Sequence, residues 1–321
     1  MSTKRIFSIL IKCFGILLFI IILNKIDLSS LFKLLNKDII APLLITITLL
    51  IVSYFFKALR WNLLCKAYDI PISIVFSFRV FLVGTFLGFT TPGRMGELFR
   101  AYYLKEQGHS LSKSVFSVVL DRLIDLCFLM VFVIISIVFL ELKYGIINQV
   151  FKIDSYLPLI ILTIGIAGLI TGWFFIKNMF WFLKLKEKLK EYRHAFLSLD
   201  LNTADKLLLI IYTLIGLFIG YGLFYYLAVC LNINIGFFDI LACAFFVSMI
   251  QLLPISILGI GTRDITLIYF FHLNSIGAEW AVLLSAVLLI ANVGATLPGM
   301  FVFIAHKAKY TNIIDKGSKA E

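Results

Sequence analysis

Charge is scarce in this chain. Only 15% of its 321 residues are Asp, Glu, Lys or Arg, whereas 61% are hydrophobic and the mean hydropathy is +1.03. A water-soluble fold of this length cannot hide so much apolar surface, because most of a folded chain's surface meets solvent. A soluble class is thereby excluded. Histidine is scarce as well: His109, His194, His272 and His306 lie far apart, without the spacing of metal ligands. The five cysteines, Cys13, Cys65, Cys127, Cys230 and Cys243, sit in or beside apolar runs with no short paired spacing. They read as small buried residues and indicate neither a disulfide framework nor a zinc site. The phosphate loop G-x-x-x-x-G-K-[ST] is missing, so hydrolysis of a nucleotide is not expected to drive this protein. No nucleophile elbow is present, and no catalytic residue or cofactor is expected.

What the chain does have is apolar runs of membrane-spanning length, each needing about 20 residues. Six full spans are expected, at 6–23, 39–56, 114–140, 157–176, 207–231 and 278–305, in an all-α, single membrane domain covering 1–321. Lys4 and Arg5 precede the first run, and no small-residue cleavage pattern follows it, so it reads as a span and not as a removed signal peptide. The net charge of +11 marks cytoplasmic loops and contacts with anionic lipid in a chain this apolar; no nucleic-acid partner is expected. Lys57, Arg60 and Trp61 end the second run as a basic and aromatic group suited to the cytoplasmic interface. The most basic connection, 177–206, carries apolar residues at helical spacing. It reads either as an amphipathic helix on the inner leaflet or as a topology-setting cytoplasmic loop. His306, Lys307 and Lys309 place the C-terminus inside with the N-terminus, in a multi-pass protein of the cell membrane.

Two apolar segments break abruptly. The first, 72–89, runs into Pro92, Gly93 and Gly96 beside Arg94, Glu97 and Arg100. Had it crossed the membrane, Arg94, Arg100, Lys105 and Lys113 would all lie outside, which the positive-inside rule disfavours. A re-entrant hairpin fits better, breaking at Pro92-Gly93 and returning through 98–104. A helix restarting near Glu97 would offer unpaired N–H groups beside two arginines, a site for an anion. The second segment, 237–253, meets Pro254, Gly259 and Gly261, then Arg263 and Asp264, and its return at 265–271 is too short to span. The halves 1–140 and 157–306 thus share one layout in opposite orientation, the pattern of an inverted-repeat transporter with a midplane site. Lipid-phosphate binding is assigned to Arg94, Arg100 and Arg263 with Gly93, Gly96, Gly259 and Gly261; the alternative is a pair of loops that only shape the fold. Glu97 and Asp264 are expected as charge partners of the arginines. Asp121 and Asp125 share a helix face and Arg122 reaches Asp125 at i,i+3, as a structural ion pair or as part of the site.

At these residues the chain resembles the flippase-like membrane domain family, named for the transmembrane region of lysylphosphatidylglycerol synthases. The matching letters are Arg60-Trp61, the P-G-R-x-G-E-x-x-R of residues 92–100, the acidic-R-x-x-D of Asp121, Arg122 and Asp125, the G-I-G-x-R-acidic of residues 259–264, and Leu297-Pro298-Gly299. Asp121 and Asp264 stand where glutamate is more usual. The resemblance implies movement of an anionic lipid, a phospholipid or lipid-linked saccharide, between leaflets. Full synthases carry a soluble aminoacyl-transferase domain after this region, which the short basic tail here does not supply. Two other classes stay open: a phosphatidylglycerol lysyltransferase-type headgroup transferase using Glu97 or Asp121 as base, and a partner subunit that presents lipid to a separate lipid-modifying enzyme.

Overall fold

A computed structural model describes residues 39–145 and 202–317, apart from 254, 255 and 257. These residues are helical, with no strand among them. Four helices are long and apolar enough to cross a membrane: α1 (Ile40–Ala67), α4 (Leu111–Tyr144), α5 (Thr203–Cys230) and the Ala278–Ala305 part of α8 (Ala278–Gly317). They coincide with four of the six expected spans. The expected spans 6–23 and 157–176, and most of the basic connection 177–206, lie outside the described residues. Most side chains of the four helices face outward, Phe55, Val131, Ile135, Phe218 and Phe301 among them, as suits a surface that meets acyl chains.

Between the long helices lie two helical hairpins. In the first, α2 (Ile74–Thr90) starts at Ser73, whose hydroxyl accepts from the Phe76 amide at 3.2 Å. It ends where Thr91 is forced into extended backbone by the following proline. A 3-10 turn, Pro92–Leu98, then reverses the chain through Gly93 (φ 61°) and Arg94 (φ 56°), and α3 (Phe99–Glu106) runs back along α2. Small residues let the arms close up. A β-carbon at Gly84 would lie 2.6 Å from Arg100 Cγ, one at Gly88 would overlap Glu97, and one at Gly96 would overlap the Leu87 carbonyl.

The second hairpin pairs α6 (Phe237–Gln251) with α7 (Thr262–Leu273). Its turn holds Leu258 (φ 61°), Gly259 (φ 71°) and Gly261 (φ 82°), again a run of left-handed backbone. Phe246 lies beside Phe270 with ring centres 5.5 Å apart, and Asp239 at the start of α6 and Asn274 at the end of α7 meet one hydroxyl, so these arms are antiparallel too. Their open end is held by α4: the Tyr144 hydroxyl lies 2.9 Å from Asp239 Oδ1 and 2.9 Å from Asn274 Oδ1, and Lys143 Nζ lies 2.5 Å from Asp239 Oδ2.

The two hairpins therefore enter the bundle from opposite ends. α4 begins at the base of the first, where Lys113 pairs with Asp69 at 2.7 Å, and its last turn clamps the base of the second. At 1.5 Å per residue its 34 residues separate those bases by about 50 Å. The tips meet: a small cavity of about 20 Å³ is lined by Gly88, Thr91, Gly93 and Arg94 from one and by Gln251, Ser256, Leu258 and Gly259 from the other. Each hairpin has its own apolar core. Trp61, Phe81, Tyr103 and Leu104 lie under the first, and Ile240, Leu267, Phe271 and Leu284 under the second. Leu50, Leu223, Ala291 and Ala295 join α1, α5 and α8 between them. α8 also meets α2 at Gly299, where a β-carbon would overlap the Leu82 carbonyl.

Candidate functional site

Beside the tips lies a cavity of about 560 Å³, within the usual size of small-molecule sites. Leucines and phenylalanines of α1, α4, α5 and α8 form much of its wall, including Leu50, Leu129, Leu217 and Phe224. Into it come six charged residues: Lys57 of α1, Arg94 and Glu97 of the 3-10 turn, Arg122 and Asp125 of α4, and Arg263 of α7.

Behind one wall the charges form a closed network. Arg60, wholly buried in α1, holds Asp121 by Nε at 2.8 Å and by Nη2 at 2.6 Å, and Asp125 by Nη1 at 2.6 Å. The same Nη1 donates to Thr213 of α5 at 3.2 Å. Asp121 also accepts from Arg100 Nη2 at 2.9 Å and lies 3.3 Å from Arg122 Nη2. Arg122 in turn grips both oxygens of Glu97, at 2.9 and 2.7 Å, and lies 3.6 Å from Asp125. Three arginines thus meet three carboxylates, which is how buried charge is tolerated in a medium of low dielectric. The Arg100 guanidinium is sandwiched over Trp61 (5.0 Å) and Phe81 (4.8 Å), and its Nη1 has no hydrogen-bond partner, the aromatic faces standing in for one.

On the α7 side the arrangement is different. Arg263 Nε donates to Ser285 Oγ at 2.7 Å, and the Ser285 hydroxyl donates to Asp264 Oδ1 in a very short hydrogen bond. Asp264 Oδ2 accepts the Gly261 amide at 2.7 Å. Arg263 is therefore linked to Asp264 through a hydroxyl, with no direct ion pair.

The residues assigned from sequence separate into two groups. Arg94, Glu97, Arg122, Asp125, Gly93 and Arg263 line the cavity. Arg100 and Asp121 lie behind it in the network, and Asp264 supports Arg263. Two expectations change. Of the unpaired amides foreseen at the first break, Gly96 N–H is taken by Thr91 Oγ1 at 2.7 Å, and at the second break Gly261 N–H is taken by Asp264. Gly96 packs against the Leu87 carbonyl, and Gly261 precedes α7 with its amide capped by Asp264. Arg60 and Trp61, expected as part of an interface group, are completely buried among the helices, and α1 continues past them to Ala67. Lys57, Arg60, Thr213 and Ser285 are the participants that sequence reasoning missed. The signal was available for the first two, since 57, 60 and 61 follow one another on a single helix face.

Among curated proteins the chain is 27% identical over 201 residues to a UPF0104 membrane protein of Methanocaldococcus jannaschii, covering 60% of this chain and 81% of that one. It is 26% identical over 198 residues to a UPF0104 membrane protein of Pyrococcus horikoshii, where the match spans 60% of this chain and 57% of the relative. No solved structure matches the chain. The lysylphosphatidylglycerol synthase TM region matches residues 6–299, and with its buried arginine–carboxylate network and paired hairpins set in apolar helices, this chain is a membrane protein belonging to that family.

Proposed function

We propose that the protein binds the phosphate of an anionic lipid, or of a lipid-linked saccharide, where the hairpin tips meet, and moves it between leaflets. One observation carries the reading. Lys57 and Arg94 reach one largely apolar cavity from two different elements with no ion-pair partner among the described residues, and Arg263 reaches it from a third, tied to Asp264 only through the Ser285 hydroxyl. Uncompensated cations at membrane depth are costly, and an entering phosphate offsets that cost through charge-assisted hydrogen bonds. The apolar wall suits the chains that follow the headgroup.

In this reading six spans and two re-entrant hairpins form an inverted repeat, 1–140 and 157–306, in the cell membrane with both termini cytoplasmic. Hairpins that enter from opposite ends of α4 and touch at their tips support it, since irregular backbone at depth is tolerated where it lines a cavity. The rival reading, headgroup transfer with Glu97 or Asp121 as base, needs a carboxylate free to take a proton. Both are held by arginines, Glu97 by Arg122 and Asp121 by Arg60 and Arg100, which favours transport.

The deciding experiment uses purified protein in proteoliposomes with a labelled anionic phospholipid and no acyl or glycosyl donor. Transfer between leaflets with the lipid's mass unchanged is expected, and Arg94→Ala and Arg263→Ala are expected to lose it while still inserting. Normal transfer in both variants, or a mass change once a donor is added, would overturn the proposal.

A further inference from the structure

We infer that the headgroup seated in this cavity carries two negative charges, as a phosphomonoester or diphosphate does, and not the single charge of a phosphodiester. The inference rests on the phosphate-binding reading above and narrows it. It comes from following each charge to its partner. Arg60, Arg100 and Arg122 are neutralised by Glu97, Asp121 and Asp125 through contacts of 2.6–3.6 Å. Arg263 is balanced by Asp264 through the Ser285 hydroxyl. Lys57 and Arg94 remain, both lining the cavity and neither within ion-pair distance of a described carboxylate. Among the described residues the surplus is two cationic side chains.

These two cations differ in kind and in place. Lys57 stands in the α1 wall against α5, where a β-carbon at Gly216 would lie 3.1 Å from its Cγ, so its stem is held by packing. Arg94 is set at the hairpin tip in left-handed backbone (φ 56°) and is exposed to the cavity. An ammonium supplies a point charge and a guanidinium a planar fork, a combination that suits a phosphate with more than one charged oxygen. A phosphodiester would leave one of the two cations unmatched in low dielectric. A lipid-linked saccharide of the favoured class would accordingly be joined through a diphosphate.

The test compares two lipids in phosphatidylcholine vesicles containing the purified protein, labelled phosphatidate and labelled phosphatidylglycerol. The assay is run above about pH 8, where a phosphomonoester, with its second pKa about 6, carries both charges. Phosphatidate is expected to be transferred with about tenfold preference, the scale of one charge-assisted hydrogen bond. Lys57→Met, which keeps the length of the stem, is expected to remove most of that preference, read as the ratio of phosphatidate to phosphatidylglycerol transfer whatever the absolute rates. Arg94→Gln at the exposed tip provides the second variant, its preference read from binding of the two labelled lipids because loss of the Arg94 guanidinium is expected to stop transfer. Equal transfer of both lipids by the unaltered protein, or a preference untouched in Lys57→Met and Arg94→Gln, overturns the charge assignment and leaves translocation standing. Transfer of neither lipid overturns translocation and this inference with it.

Discussion

Arg122 of α4 holds both oxygens of Glu97 on the 3-10 turn, Nη1 to Oε1 at 2.9 Å and Nη2 to Oε2 at 2.7 Å. This bidentate pair is the direct ionic tie between the tip of the first hairpin and the long helix beside it. Glu97 is 6% exposed and Arg122 27%, both on the cavity side. Removing one partner strands the other. Arg122→Ala is expected to destabilise by about 3–5 kcal/mol, the cost of breaking a buried pair from one side. The double variant Glu97→Gln/Arg122→Met is expected to recover part of that loss. Thermal melts of the purified variants in detergent check both; additive losses would show that the pair is not coupled.

Arg60 is the hub of the network, joining Asp121 and Asp125 with Thr213. Lysine has one point of attachment where this site uses a fork. Arg60→Lys is therefore expected to fail nearly as badly as Arg60→Ala, each by about 3–5 kcal/mol. Melting temperature and the monodispersity of the purified protein are the measurements.

Glycine substitutions separate close approach from open space. Gly96→Ala would drive its methyl onto the Leu87 carbonyl, and Gly299→Ala onto that of Leu82, so both are expected to abolish accumulation of folded protein. Gly220 and Gly222 in α5 face nothing within 4 Å. Alanine there is expected to be neutral or stabilising by up to about 1 kcal/mol, through helix propensity. Expression level and melting temperature of the four variants decide the matter.

Tyr144 closes the base of the second hairpin by contacting Asp239 and Asn274 together. Tyr144→Phe removes both contacts and leaves buried polar groups with fewer partners, an expected loss of about 1–3 kcal/mol. Hydrogen exchange should rise at residues 237–240 and 272–276 and remain unchanged at the first hairpin. A uniform rise would show that the clamp is not local.

The opposed hairpin bases give a topological test. In a background lacking exposed Cys127, a cysteine at Gln107 is expected to react with a membrane-impermeant maleimide from the cytoplasmic side, and one at Ser275 only from outside. Labelling of both from one side would end the re-entrant reading.

The breaks at Pro92-Gly93 and Gly259–Gly261 were legible because proline and glycine act on the backbone of their own neighbourhood, and no tertiary knowledge is needed to see a helix end there. The i,i+3 and i,i+4 relations among Asp121, Arg122 and Asp125 were legible for the same reason. The burial of Arg60 was not legible because its partners lie 61 and 65 residues away, and an arginine near the end of an apolar run looks solvent-facing until those partners are known. The occupied amides of Gly96 and Gly261 depended on which way the side chains of Thr91 and Asp264 turned, a choice settled by the local fold and not by residue type.

At Gly299 the backbone of α8 rests directly on that of α2, with no side chain between them to slide or repack. Such a seam resists shear, so the descending arm of the first hairpin is obliged to travel with α8 as one piece. If the proposed translocation opens the cavity to one side and then the other, the movement has to be accommodated elsewhere, along the ionic seam facing α4 or in the left-handed turns where the two tips touch.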